Sequence, residues 1–134
     1  MKQTGTMLKK TQAWKWTSKY IRFSGADKNG VCKCATCGCF HFWSDMDCGH
    51  AITAGLHRST FFDLIGLAPQ CKKCNRWQLG QSLKFEEHII KEHGQKAWDE
   101  LKLKAQGFHF YTDAELKQIS DERRILFNKL KELK

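Results

Sequence analysis

The chain has 134 residues, of which 41% are hydrophobic and 28% charged, a composition typical of a folded globular domain. Lysine and arginine number 23 against 14 acidic residues, which leaves a net charge of +9 and favours a polyanionic partner such as nucleic acid. The best candidate membrane segment, residues 61–67, is far shorter than the roughly 20 residues that cross a bilayer, and it contains an aspartate. We therefore expect no association with a membrane.

The cellular compartment and the number of domains are also predicted from the sequence. The first twelve residues lack the apolar core and the cleavage site of a signal peptide, so we expect a cytoplasmic protein. Seven cysteines in a reducing compartment indicate metal binding rather than disulfides. Because the chain contains one proline and no repeat, we predict a single domain over residues 1–134.

The first half of the chain divides into two zones. Residues 1–30 are basic with interleaved aromatic side chains, whose spacing predicts a short helix that ends before Ser24. Residues 31–80 contain all seven cysteines and predict two short strands or loops, followed by a helix near residues 71–79. The expected fold is α+β and mainly helical, with this second zone as its chemical centre.

The second half of the chain predicts helices. Residues 81–111 have the pattern of two supporting helices with a break at Gly94. In residues 112–134, Thr112 and Glu115 have the spacing of a capping box, and apolar residues at intervals of three and four continue to the C-terminus. The apolar stripe of this C-terminal helix packs against its own domain or forms a seam between two subunits. A homodimer therefore remains open.

Four of the cysteines form two Cys-x2-Cys pairs, Cys34 with Cys37 and Cys71 with Cys74. Two such pairs match a tetrahedral, structural Zn²⁺ site, and metal binding would add folding free energy to a small core. Cys32 and Cys39 offer overlapping choices of ligand. We prefer the four residues that keep the two-residue spacing.

Candidate catalytic residues lie between and just after these pairs. The segment Asp47-Cys48-Gly49-His50 separates the two pairs, and Asn75 follows the second. This order resembles the zinc-stabilised ββα-metal fold of HNH endonucleases, including the endonuclease VII group of phage junction resolvases. The chain is more closely similar to the phage NinG family, called Rap in lambda-like phages, in three segments. These are SKYIRFSGADKNGVCKCATCG at residues 18–38, DCGHAI at 47–52 and PQCKKCNRWQLG at 69–80.

The resemblance implies a phage-encoded, structure-specific DNA endonuclease that cuts Holliday junctions and D-loops in the host cytoplasm. His50 is the candidate general base, because an imidazole accepts a proton at neutral pH. Asn75 matches an HNH ligand position for a catalytic Mg²⁺ or Mn²⁺, which prefers oxygen ligands. Many HNH sites have Asp or His just before the base, where this chain has Gly49. The second ligand is therefore Asp47 or His57, and we rank Asp47 first.

Basic side chains near these segments are expected to bind the DNA backbone without recognising bases: Lys15, Lys19, Arg22, Arg58, Lys72, Lys73 and Arg76. One alternative is a non-catalytic zinc-ribbon module that binds DNA or a host protein. Gly49 favours it, as does the absence of an obvious asparagine to orient the base. Another is a sequence-specific HNH nuclease, which would need an element that recognises bases in the major groove, and none is clearly marked.

Overall fold

The computed structural model describes residues 3–55, 57–77 and 81–134, and the fold is α+β and mainly helical, as predicted. Within these ranges there are five α-helices: α1 (Gly5–Lys9), α2 (Gln12–Ser24), α3 (Ser82–His93), α4 (Gln95–Ala105) and α5 (Asp113–Leu133). The same ranges contain four short strands and one π-helical segment: β1 (Val31–Lys33), β2 (Phe40–Phe42), β3 (Asp47–His50), β4 (Leu67–Gln70) and the segment Lys73–Trp77.

Helix α2 is the central helix and contacts α5, β3 and β4. The Thr11 hydroxyl caps its start by accepting the N–H of Trp14 at 3.2 Å. Ala13, Thr17 and Ile21, spaced by four, form its buried face. The helix extends through Ser24, one residue beyond the predicted end.

The strands form two separate antiparallel ribbons in the described part of the chain, where the sequence predicted two strands or loops. One ribbon pairs β1 with β2, and the other pairs β3 with β4. In the second ribbon Asp47 lies opposite Gln70, so the start of β3 is next to the end of β4. The chain then turns into Lys73–Trp77, the described part of the helix predicted near residues 71–79. Residues 78–80 lie outside the described ranges.

Helices α3 and α4 are divided at Gly94, as predicted. The φ angle of Gly94 is 95°, a conformation that disfavours residues with a Cβ atom. Phe85 and Ile89 of α3 pack with Trp98 and Leu101 of α4 in one buried cluster. This cluster also includes Ala68 of β4, so the helix pair supports the second ribbon.

Helix α5 packs along α2 within the same chain, which is one of the two alternatives for its apolar stripe. Phe127 is buried against Trp16, Phe23 and Trp43, with ring centroids 5.4 to 6.1 Å apart. Burial of one such side chain contributes about 1.5–3 kcal/mol. The Thr112 hydroxyl accepts the N–H of Glu115 at 3.2 Å, which confirms one half of the predicted capping box, whereas the Glu115 carboxylate contacts His109 Nε2 at 2.7 Å. Among the described residues, none of the helices has the length and apolarity needed to cross a membrane.

Candidate functional site

Four cysteine side chains converge between the two ribbons: Cys34, Cys37, Cys39 and Cys71. Their Sγ atoms all lie within 4.8 Å of one another. The Sγ atoms of Cys37 and Cys71 are 3.8 Å apart, and those of Cys37 and Cys39 are 3.1 Å apart. Tetrahedral zinc with bonds of about 2.3 Å places its sulfur ligands about 3.8 Å apart. The cluster is therefore positioned to hold a metal ion.

The cluster contains three of the four predicted ligands, and Cys39 is its fourth member. Cys74, the remaining predicted ligand, is buried beside it. The backbone N–H of Cys74 donates to Cys71 Sγ at 3.4 Å, and its own Sγ accepts from Gln81 Nε2 at 3.4 Å. Cys39 joins the cluster because the backbone turns back towards β2 directly after Cys37. The sequence signal for it was the overlapping spacing in CKCATCGC.

The loop around Cys34 favours a thiolate, the form that binds metals. Burial by itself raises the pKa of Cys34. Hydrogen bonds from the Cys37 backbone, the Thr36 hydroxyl and the Cys71 backbone outweigh burial and lower this pKa to about 6. The contacts from Thr36 Oγ1 and from the Cys71 N–H are 3.4 and 3.3 Å long. The surroundings of Cys34 thus stabilise negative charge before any cation is bound.

Asp47 and Asn75, both predicted as ligands of a catalytic cation, lie in contact. Asn75 Nδ2 donates to Asp47 Oδ2 at 3.0 Å, although the two residues are 28 positions apart in the sequence. Arg76 forms a bidentate ion pair with the same carboxylate, with Nε 2.8 Å from Oδ2 and Nη2 3.0 Å from Oδ1. The pairing of β3 with β4 explains this arrangement, because it brings the start of β3 beside the segment that follows β4.

This contact lies in a cleft of about 540 Å³, which we call the basic cleft. Its lining includes four cationic side chains, Lys9, Arg22, Lys72 and Arg76, and a single carboxylate, that of Asp47. Such a concentration of positive charge in a concave surface attracts phosphate groups. Two residues predicted to bind the catalytic cation, Asp47 and Asn75, therefore share one cleft with part of the predicted DNA-binding residues.

His50, the predicted base, is held by aromatic rings and one backbone acceptor. Its imidazole stacks on the Trp14 indole, with centroids 4.8 Å apart and an interplanar angle of 13°. Its Nε2 lies 3.0 Å from the carbonyl oxygen of Phe61. Because a carbonyl only accepts, Nε2 carries the proton and Nδ1 the lone pair. Burial lowers the pKa of His50 to about 4, so the ring is neutral at pH 7. The sequence did not indicate this orienting contact, because its acceptor belongs to the backbone.

The structure shows where His50 and His57 lie relative to the basic cleft. His50 is not among the residues that line the basic cleft, but Trp14, which stacks on it, is. The predicted base is therefore adjacent to the cleft and covered by Trp14. His57, the lower-ranked ligand, donates through Nδ1 to the Ala105 carbonyl oxygen at 3.0 Å, against the end of α4. Between Asp47 and His57, the structure places Asp47 with Asn75.

Packing explains why position 49 is a glycine. A Cβ atom built on Gly49 would lie 2.0 Å from Gln70 Oε1 and 2.7 Å from its Cδ. Gln70 is fully buried, and its Nε2 donates to Thr36 Oγ1 at 3.2 Å. The space that a side chain at position 49 would need is thus occupied by a buried amide that connects β4 to the cysteine loop.

Three of the seven residues predicted to bind DNA line the basic cleft: Arg22, Lys72 and Arg76. Lys73 is exposed on the neighbouring helical segment. Lys15 and Lys19 lie over the Trp16 ring, with Nζ 5.6 and 5.0 Å from its centroid. Arg58 donates to a nearby backbone carbonyl at 3.0 Å. The predicted basic residues are therefore spread over more than one surface.

Fold and site together define a small, basic α+β protein with a cysteine cluster positioned to hold a metal ion beside a basic cleft. The family model described as bacteriophage lambda NinG protein matches residues 1–134. The chain therefore belongs to the NinG family, which confirms the resemblance drawn from its three sequence segments. Comparisons with curated proteins and with solved structures give no match.

Proposed function

We propose that this protein is a structure-specific DNA endonuclease that cuts branched recombination intermediates, such as Holliday junctions and D-loops, in the host cytoplasm. One observation carries the proposal: Asp47 and Asn75 meet in a cleft lined by four cationic side chains. Carboxylate and amide oxygens are the ligands that Mg²⁺ and Mn²⁺ prefer, and cationic side chains bind the DNA backbone. The order of β3, β4 and Lys73–Trp77 supports a ββα-metal centre of the HNH type.

The cysteine cluster has a structural role in this proposal. Four thiolates leave Zn²⁺ without an open position for substrate, so the zinc does not take part in the chemistry. Cys34, Cys37 and Cys71 hold it, with Cys39 or Cys74 as the fourth ligand. Because Cys71 lies between β4 and the segment that carries Asn75, the zinc fixes this junction against the loop between β1 and β2.

His50 acts as the general base in phosphodiester hydrolysis. Its Nδ1 takes a proton from the attacking water, and the water oxygen forms the new bond to phosphorus while the bond from phosphorus to the 3′-oxygen breaks. The leaving 3′-oxygen takes up a proton from solvent water and becomes a hydroxyl. The Phe61 carbonyl keeps the required tautomer and stabilises the imidazolium that forms. A bound DNA phosphate raises the pKa of His50 from its low value in the unbound protein, because negative charge favours the protonated ring. The divalent cation, when bound at Asp47 and Asn75, supplies charge neutralisation at the phosphate and the leaving oxygen.

Shape rather than base sequence selects the DNA in this account. Backbone contacts carry no sequence information, and the cationic residues of the basic cleft suit phosphates. Symmetric cutting of a four-way junction requires two active sites, so the proposal includes a homodimer for that substrate. A single subunit suffices to nick other branched DNA.

A cleavage experiment tests the proposal. Labelled four-way junction, replication fork, D-loop and linear duplex are incubated with zinc-loaded protein in EDTA, Mg²⁺ or Mn²⁺. We expect cleavage of branched DNA only, with added cation only, and its loss in His50→Ala while DNA binding remains. His93→Ala, which changes an exposed histidine on α3, is the matched control and should cut normally.

A non-catalytic zinc-ribbon module that binds DNA is the second candidate. It is favoured by the stacking of His50 on Trp14 and by the bidentate pairing of Asp47 with Arg76, since both contacts are also those of structural side chains. If DNA is bound but uncut with every cation, this module becomes the better account. Cutting of linear duplex at a defined sequence would instead favour a sequence-specific HNH nuclease.

A further inference from the structure

Arg76 and Asn75 together occupy most of the lone-pair sites on the carboxylate that the proposed cation needs. A carboxylate offers about four lone-pair sites. On Asp47, Arg76 fills one on each oxygen, and Asn75 fills another on Oδ2. A guanidinium in this position also repels a second cation through its own charge. A divalent cation and Arg76 therefore compete for Asp47.

The two partners of this ion pair differ in how firmly they are held. The Asp47 side chain is only 15% exposed, whereas that of Arg76 is 58% exposed. Asp47 is fixed on β3 and contacted by Asn75, while Arg76 projects into the basic cleft. Arg76 is thus the partner that can move to another anion without rearranging the core.

A DNA phosphate is a suitable alternative partner for Arg76. The planar guanidinium binds phosphate through the same two-bond geometry that it uses for carboxylate. Lys9, Arg22 and Lys72 line the same cleft and attract phosphate to it. A phosphate bound there would draw Arg76 from Asp47 and make the carboxylate accessible to the cation.

We propose that Arg76 is a positioning residue that couples DNA binding to cation binding: it closes the cation site on Asp47 until a DNA phosphate replaces the carboxylate as its partner. The inference rests on the proposed function of the basic cleft. Its consequence is positive cooperativity, which is reciprocal because DNA must raise cation affinity by the same factor as the cation raises DNA affinity. The protein without DNA then binds the catalytic cation weakly.

Titration of zinc-loaded protein with Mn²⁺, followed by the electron paramagnetic resonance signal of the unbound ion, measures this coupling without any cleavage. Arg76→Ala and Lys72→Ala each remove one positive charge from the cleft, but only Arg76 contacts Asp47. We expect Arg76→Ala to bind Mn²⁺ about fivefold tighter or more. Lys72→Ala should change the affinity by less than about twofold. Asp47→Asn should lose the site, and zinc content and circular dichroism show whether each variant is folded.

A second arm adds four-way junction DNA to the proteins in a His50→Ala background, so that the DNA stays intact. We expect the junction to raise the Mn²⁺ affinity of otherwise wild-type protein about fivefold or more, and that of the Arg76→Ala variant much less. Any Mn²⁺ affinity that the DNA adds as a direct ligand of the cation is the same in both proteins. The difference between the two proteins therefore isolates the effect of Arg76.

The outcomes separate this inference from the proposed function. Mn²⁺ binding that depends on Asp47 but is equal in wild type and Arg76→Ala overturns the coupling alone. Equal tightening in Arg76→Ala and Lys72→Ala also overturns it, since a general charge effect would then suffice. Absence of Mn²⁺ binding in every folded variant, with and without DNA, overturns the cation site of the proposed function as well.

Discussion

Replacement of Gly49 by alanine tests how tightly the second ribbon is packed against the cysteine loop. The new Cβ would lie 2.0 Å from Gln70 Oε1 and 3.0 Å from its Cγ, so the buried Gln70 side chain has to move. Overpacking of this kind costs about 1–3 kcal/mol. Loss of the buried hydrogen bond from Gln70 to Thr36 adds about 1–3 kcal/mol. The expected destabilisation is about 2–6 kcal/mol, the sum of the two effects.

Thermal unfolding of zinc-loaded protein, followed by circular dichroism, measures this effect. A loss of this size lowers the Tm by about 10 °C or more in a chain of this length. Gly55→Ala is the matched control, because no atom of the described residues, its chain neighbours aside, lies within 4 Å of a Cβ at that position. It should leave stability within about 1 kcal/mol of wild type. Equal Tm values for Gly49→Ala and Gly55→Ala would refute the packing argument for Gly49.

Three further predictions concern the cysteine cluster, His50 and the C-terminal helix. Cys39→Ser should lower zinc retention about tenfold or more in competition with a chelator, and unchanged retention would exclude Cys39 as a ligand. The imidazole of His50, followed by NMR, should titrate near pH 4, because burial disfavours its charged form; a midpoint near 6.5 would contradict this burial. Since the unfolded chain binds this proton more readily, the stability due to neutral His50 is complete above about pH 6.5 and is lost as the pH falls towards 4. Phe127→Ala should lower the free energy of unfolding by about 3–5 kcal/mol, whereas Ile125→Ala, at a 54% exposed position, should cost about 1 kcal/mol or less. If only Ile125→Ala lowered the free energy of unfolding strongly, the exposed face of α5 that carries Ile125 would have to pack against another subunit.

Helices with local signals could be predicted from the sequence. The cap at Thr112, the break at Gly94 and the apolar spacing of α2 each depend on residues within a few positions of one another. The strands were harder, because segments of three or four residues are too short to establish an alternating pattern. The two ribbons were therefore only partly anticipated.

In the candidate site, too, contacts between residues distant in sequence could not be predicted. The cysteine pairs indicated the cysteine cluster, but overlapping spacings left open whether Cys39 belongs to it. Nothing local indicated that Arg76 pairs with Asp47, since the contact depends on the register of β3 with β4. The contact of His50 with the Phe61 carbonyl could not be predicted either, because every residue has a backbone acceptor and the sequence does not indicate which one is used.

Single-turnover cleavage of a labelled four-way junction by wild type and Asp47→Asn, each zinc-loaded and supplied with Mn²⁺, tests the central claim most directly. Asparagine keeps the size of the side chain and removes the charge that is proposed to hold the cation. The account predicts cation-dependent cutting by wild type and a loss of about 100-fold or more in Asp47→Asn, with junction binding retained. Equal cutting by the two proteins, or binding without cutting by wild type, would contradict it.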